Sequence, residues 1–223
     1  MNETVHKDVE DTIEKIKKYF RNKEEEDLFR KYRSETVDEE LLRRIERDAL
    51  EFQIKYRGCA QEVLYVLVLH LRPGGVSDPW LVVPGMTGLC AGVASQQVGP
   101  CGGLIGGLYA IGMEFGRKDF NEPGGPKEKG LESNFFYCDF LCRELYNRFS
   151  KKFGSAICKN LLQKEFGTSF NLDDPNDPTL QKLVQDGTLF DILSTNACRL
   201  VSGAAVLAAE IILRERKKRA TQK

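Results

Sequence analysis

Gly99-Pro100-Cys101-Gly102-Gly103-Leu104-Ile105-Gly106-Gly107-Leu108-Tyr109-Ala110-Ile111-Gly112-Met113 closes a run, begun at Trp80, that contains no charged residue. Its glycines invite a phosphate-loop reading, and that reading fails. The stretch has no Gly-Lys-Ser/Thr, no dinucleotide fingerprint and no strand before it. Helical spacing explains the pattern better, because Gly99, Gly103 and Gly107 fall four apart, as do Gly102 and Gly106. Two glycine faces let neighbouring helices approach closely, which offsets a helix penalty of about 1 kcal/mol per glycine. Gln96, Gln97 and Pro100 break the run too often for one membrane-spanning helix. It predicts two helices buried on all sides, at 80–95 and 100–116.

The charge lies elsewhere. Residues 1–57 carry 30 charged side chains, whereas 58–113 carry only Glu62, Arg72 and Asp78. The first segment reads as amphipathic helices. One follows the stripe Val5, Val9, Ile13, Ile16 and Phe20. Another starts at Thr36 with Glu39 reaching back as in a capping box, runs along Leu41, Leu42, Ile45, Ala49, Phe52 and Tyr56, and ends at Gly58. Residues 1–57 are expected to be a charged helical arm on a domain formed by 58–223. Further helices are predicted at 59–72 (stopped by Pro73), 132–152, 156–166 and 196–216, with loops at 117–130 and 167–188. The basic end, Arg214–Arg219, reads as a frayed helix end whose charge suits the C-terminal dipole. No alternating strand and no internal repeat is found. The fold class is all-α, a compact multi-helix bundle with close-packed glycine-rich central helices.

The chain has 223 residues with 33 basic and 33 acidic side chains, which suits one domain with an appendage and gives no electrostatic reason to bind nucleic acid or anionic lipid. Two histidines, His6 and His70, exclude a multi-histidine metal centre. His70, inside an apolar helix, reads as a satisfied core residue. The polar start Met1–Asp8 has no apolar secretory segment. A cytoplasmic, reducing location is therefore expected, where seven cysteines serve as ligands, catalysts or buried thiols rather than disulfides.

Four of the seven fall in or beside the first turn of a predicted helix. Cys59 follows Gly58, Cys101 follows Pro100, Cys158 follows Ser155 by three, and Cys198 follows Thr195-Asn196. Free N–H groups and the positive helix end favour a thiolate there, the form that ligates a metal or attacks a disulfide. Cys90, Cys138 and Cys142 read instead as small buried hydrophobes. A redox pair at Cys138/Cys142 is disfavoured, because that helical spacing rarely reaches disulfide geometry.

Gly58-Cys59-Ala60-Gln61-Glu62-Val63-Leu64, the glycine-rich segment from Gly99 to Gly112, Phe149, Phe153-Gly154-Ser155-Ala156-Ile157-Cys158-Lys159-Asn160-Leu161 and Cys198 before an Ala-rich helix together resemble the C-GCAxxG-C-C family of redox-active proteins. The resemblance covers roughly 58–213 and departs at Gly103, where the family usually has Ala, and at Lys159-Asn160, where it tends to have Arg-Glu. It implies redox activity, and a related domain of the split-Soret cytochromes has an iron–sulfur centre. Covalent haem is excluded here, because the chain has no Cys-x-x-Cys and neither histidine follows a cysteine.

Three functions follow as expectations. The favoured one is an electron-transfer protein binding an iron–sulfur cluster through Cys59, Cys101, Cys158 and Cys198, 2Fe–2S ahead of 4Fe–4S. The alternatives are a thiol–disulfide protein using some of the same residues, and a non-redox interaction module with structural zinc or no metal. The separations of 42, 57 and 40 residues require a preformed fold and match no ferredoxin or zinc-ribbon pattern. A stand-alone enzyme is less expected than an electron carrier with a separate redox partner protein. The uncharged surface of 80–113 and the stripe in 1–57 lead us to expect a homodimer.

Overall fold

The computed structural model describes residues 38–119, 134–171 and 174–221, which are all-helical apart from connections and one isolated β-bridge. The helix expected on the Val5–Phe20 stripe and the cap at Thr36 lie outside these residues. In chain order the α-helices are α1 (Glu39–Tyr56), α2 (Cys59–Leu71), α3 (Gly102–Phe115), α4 (Asn134–Phe153), α5 (Cys158–Phe166), α6 (Pro178–Gln185) and α7 (Leu189–Thr221).

Asp38 caps α1 by accepting the Leu41 N–H at 3.0 Å, and Glu39 and Glu40 follow in the first turn, where the helix dipole favours acids. The helix buries Leu42, Ile45 and Ala49 in the same core as α2, α3, α4 and α7, and stops at Arg57 in the left-handed conformation. On α2, Ala60, Val63, Leu64, Val66, Leu67, Val68 and Leu71 are all buried, as its unbroken apolar sequence demands. His70 meets α1 through its Nε2, 2.7 Å from Asp48 Oδ2.

The glycines of α3 are contact points. A Cβ on Gly106 would stand 2.5 Å from the Ala60 carbonyl oxygen of α2; one on Gly107 would stand 3.1 Å from Ala208 Cβ of α7. Helix α7 answers with Val201, Ala204, Ala205, Ala208 and Ala209, all buried. Phe153 of α4 lies over Gly203 and packs on Phe149 with ring centroids 4.7 Å apart.

Three expectations need correction. Residues 80–95 do not form an α-helix: Pro79 and Pro84 each open a separate 3₁₀ segment, Pro79–Leu81 and Val83–Leu89, leaving Trp80 and Leu81 65% and 75% exposed. The expected loop 167–188 contains α6, with Asp177 accepting from the Thr179 and Leu180 N–H groups and Pro178 in the first turn. The basic end is not frayed. Arg214 makes a two-pronged pair with Glu144, Arg216 another with Glu114, and Arg148 binds Glu210. No described helix is long and apolar enough to cross a membrane.

Gly106→Ala is expected to destabilise the protein by about 1–3 kcal/mol through overpacking. Gly112→Ala, whose added Cβ meets nothing within 4 Å, is expected to stabilise it by up to about 1 kcal/mol through helix propensity. Urea unfolding of both variants checks the contrast, and shifts of the same sign would count against the packing argument.

Candidate functional site

Cys59 is the first residue of α2, whose N-cap is Gly58. Gly58 has no side chain with which to cap the helix, and its own N–H is taken by Glu62 Oε1 at 2.5 Å, a reach-back like that of a capping box. Cys101 is the N-cap of α3; its sulfur makes no capping hydrogen bond, but the nearby N–H groups of Leu104 and Gly103 favour negative charge on it. Cys158 is the first residue of α5. Backbone bonds tie these last two starts together across the Pro100–Ile157 bridge: Cys101 N–H to Ala156 O at 2.8 Å, and Cys158 N–H to Gly99 O at 3.0 Å. Cys59 joins them because Gly102 has no side chain; a Cβ there would stand 2.4 Å from Cys59 Sγ.

A fourth sulfur belongs to this group, and it is one that the sequence pattern assigned to the apolar core. The Cys90 and Cys59 thiols act on each other, and the N–H groups of Ala60 and Gln61 favour a negative Cys90 sulfur, which lies 3.8 Å from the Met86 carbonyl oxygen. A hydrogen bond runs from Ala91 N–H to Cys59 Sγ at 3.4 Å. Behind Cys90 the chain turns with left-handed φ at Ala91, Gly92, Val93, Ala94, Ser95 and Gln97. Bonds from Ala94 N–H to Gly88 O, Gln97 N–H to Ala91 O, Gly99 N–H to Gly92 O and Lys159 N–H to Gln97 O hold it there. Gly92 is required on two counts, its φ of 78° and the closeness of Cys158, whose Cβ would be 2.9 Å from an added methyl.

Cys198 is placed differently. It was expected in a first turn, but α7 begins at Leu189, so Cys198 is inside the helix. Its sulfur is directed at the Leu50 carbonyl oxygen, 4.0 Å away, in a small apolar cluster with Leu50 and Ile54. Cys138 and Cys142 lie on α4, half-buried against the core, with their sulfurs 3.9 Å apart. Among the described residues, no three of His, Cys, Asp or Glu converge as a ready-made site for a single metal ion.

The family described as "Putative redox-active protein (C_GCAxxG_C_C)" matches residues 58–212. The chain belongs to that family. No curated protein and no solved structure matches it. The matched span contains all seven cysteines.

Electrostatics separates Cys59, Cys101, Cys158 and Cys198 from Cys90. Burial raises the Cys101 thiol in spite of the two nearby N–H groups, and pushes Cys158 and Cys198 up to about 12 each, with Cys101 and Glu62 adding repulsion respectively. Cys59 is raised well above the ordinary value because its proton is held by Cys90. Cys90 alone of the five is lowered, to about 6, by the Cys59 thiol and the two α2 N–H groups. The expectation of thiolates at every helix start thus fails where burial outweighs the helix end, and the negative charge rests on Cys90. Beside it Glu62, only 4% exposed, is pushed up to about 7 by burial, and its Oε2 has no hydrogen-bond partner.

Two outcomes are expected of the metal-free chain. Iodoacetamide at pH 7 alkylates Cys90 faster than Cys59, Cys101, Cys158 or Cys198, with a rate that levels off above about 6 as the thiolate saturates; peptide mass spectrometry reads this, and faster labelling of Cys101 or Cys158 would refute it. Glu62 titrates at about 7 in the folded chain against an ordinary 4.5. The native state therefore binds more protons between those values, and stability falls as pH rises through that window. Glu62→Gln should flatten this slope in urea unfolding at pH 5 and pH 8.

Proposed function

We propose that the chain is an electron-transfer protein whose thiols hold an iron–sulfur centre, 2Fe–2S in type, where α2, α3 and α5 begin. One observation carries the reading: Cys59, Cys101 and Cys158, far apart in sequence, open three helices that meet, and the Ala91 N–H is directed at the Cys59 sulfur. The donor set fits such a group. Thiolates are its usual ligands, and hydrogen bonds to sulfur together with burial tune its potential. Bound there, the centre supplies one-electron transfer. The chain's part is to orient the thiols from rigid helix ends, to direct N–H dipoles at the sulfurs, and to keep water away with the buried faces of α2 and α3. The sequence pattern nominates Cys198 as the fourth ligand. Zinc would take the same thiolates, but around a single point.

A second reading has its own observation, the Cys59–Cys90 sulfur contact. In it the Cys90 thiolate attacks a substrate disulfide, Cys59 resolves the mixed disulfide, and two electrons leave with the two released thiols. Either function needs a partner redox protein or small disulfide. The homodimer remains part of our proposal, with exposed Trp80 and Leu81 as surface for it.

Anaerobically purified chain is expected to contain iron and acid-labile sulfide in equal amounts, with visible absorption. Cys101→Ser or Cys158→Ser should abolish or strongly alter that spectrum, since oxygen is a harder ligand. Cys138→Ser or Cys142→Ser should leave it intact at a cost of about 1–3 kcal/mol in stability. Zinc in place of iron, or a metal-free chain that forms a Cys59–Cys90 disulfide, would overturn the cluster reading.

A further inference from the structure

We propose that Cys90, a residue outside the four-cysteine pattern, is a ligand of the thiol-held centre, paired with Cys59 as Cys101 is paired with Cys158, and that Cys198 is a structural thiol. The inference rests on the cluster reading above and names its fourth ligand.

Three observations on different parts of the chain support it. The first is the N-terminus of α2. Its N-cap is a glycine with no side chain to cap it, and the segment carrying Cys90 lies against this helix start: Ala91 N–H donates to Cys59 Sγ at 3.4 Å, and Leu89 O and Cys59 Sγ both adjoin Gly102. The Ala60 and Gln61 N–H groups therefore favour a negative Cys90 sulfur. Cys198, by contrast, is inside α7 in an apolar cluster with Leu50 and Ile54, and its sulfur lies 4.0 Å from the Leu50 carbonyl oxygen.

The second is the left-handed stretch after Cys90. Each non-glycine residue in that conformation is strained, and such strain persists where the surroundings over-determine it, most often at functional sites. Here it has a definite geometric result. It turns Cys90 toward Cys59 and lays Gly92 against Cys158 within a few residues, so that one short segment touches both sulfur pairs.

The third is a pair of buried oxygens. Glu62 Oε2, on the residue that reaches back to Gly58 and acts electrostatically on Cys90, and Gln97 Oε1, on the residue against Gly92, have no hydrogen-bond partner, although Glu62 and Gln97 are only 4% and 2% exposed. Buried polar atoms are nearly always bonded, so two such atoms, on Glu62, which acts on both Cys90 and Cys198, and on Gln97 of the turn that follows Cys90, point to a ligand-bearing site.

The arrangement also discriminates among centres. Cys59 neighbours Cys90, and Cys101 neighbours Cys158 across the Pro100–Ile157 backbone bridge, with Cys101 acting on Cys59 and Cys90 as well. Four thiolates in two pairs suit two irons, each taking one pair; a single tetrahedral zinc asks for all four around one point.

The test reconstitutes the full chain anaerobically with iron and sulfide and compares wild type, Cys90→Ser, Cys90→Ala and Cys198→Ser, with far-ultraviolet circular dichroism as the check on folding. Loss of visible absorption and of most bound iron in both Cys90 variants, with Cys198→Ser unchanged, is expected. An unchanged spectrum in the Cys90 variants, or a folded Cys198→Ser chain without its centre, overturns the assignment while leaving the cluster reading intact. A wild type that takes up no iron and sulfide overturns the cluster reading itself. In that event titration of the metal-free chain with cadmium, read by thiolate-to-cadmium absorption, decides the ligand set: loss on Cys90→Ser but not on Cys198→Ser supports Cys90, and equal loss in both, or loss in Cys198→Ser alone, overturns it.

Discussion

Helix α3 presents no side chain at Gly102 and Gly106, where it crosses α2, and that missing volume is the constraint on which the site depends. Any larger residue at Gly102 would collide with the Cys59 sulfur, and any at Gly106 with the backbone of Ala60. The two helix starts are therefore held at a separation that ordinary side chains do not allow. Gly103 and Gly107 do the same on the opposite face toward α7, where Ala204 and Ala208 replace bulkier apolar residues. Each glycine weakens the isolated helix, but tertiary packing more than offsets the loss.

The close approach creates an electrostatic contest at the thiols. Helix N-termini favour negative sulfur, and burial opposes it. Burial wins at Cys101 and Cys158. At Cys90 the balance reverses, because a neighbouring thiol proton and two N–H groups act on a sulfur that is only partly buried. The charge thus settles on a loop residue rather than on a helix residue, since only the loop sulfur stands in front of another helix's free N–H groups. A soft metal centre would displace the remaining thiol protons and use the same donors.

The other end of the bundle is built by different means. Arg214 with Glu144, Arg216 with Glu114, and Tyr137 with Glu215 join α7 to α3 and α4. Thirteen residue steps along α3 separate Cys101 from Glu114, roughly 20 Å of helix, so the thiol end and the charged end act on separate regions. Partly buried ion pairs contribute little net stability, but leaving one partner unpaired is costly, which makes them good devices for fixing the register of long helices. They hold α7 along its C-terminal half while its small residues admit α3 beside its N-terminal half.

Periodicity and punctuation in the sequence determined most of the helices. The apolar run of 59–71, the glycine spacing of 100–116 and the stripe of α1 each satisfy a local rule that tertiary contacts do not override. The positions of Cys59, Cys101 and Cys158 at helix starts follow from the same local signals, Gly58, Pro100 and Ser155. Three matters lay beyond it. Nothing local marks residues 91–97 as left-handed, because only one of them besides the turn's own bonds, Gly92, favours that conformation; contacts with Gly88 and Lys159 impose it. The start of α7 was misread because Thr195-Asn196 resembles a cap while the helix runs through it from Leu189. Cys90, with apolar neighbours and no helix of its own, reads as a core residue, and only the three-dimensional meeting of its loop with the start of α2 brings it into the site. Local sequence decides which backbone groups are left free at a helix end; which sulfur meets them is a long-range matter, set by how closely α2, α3 and the intervening loop can pack.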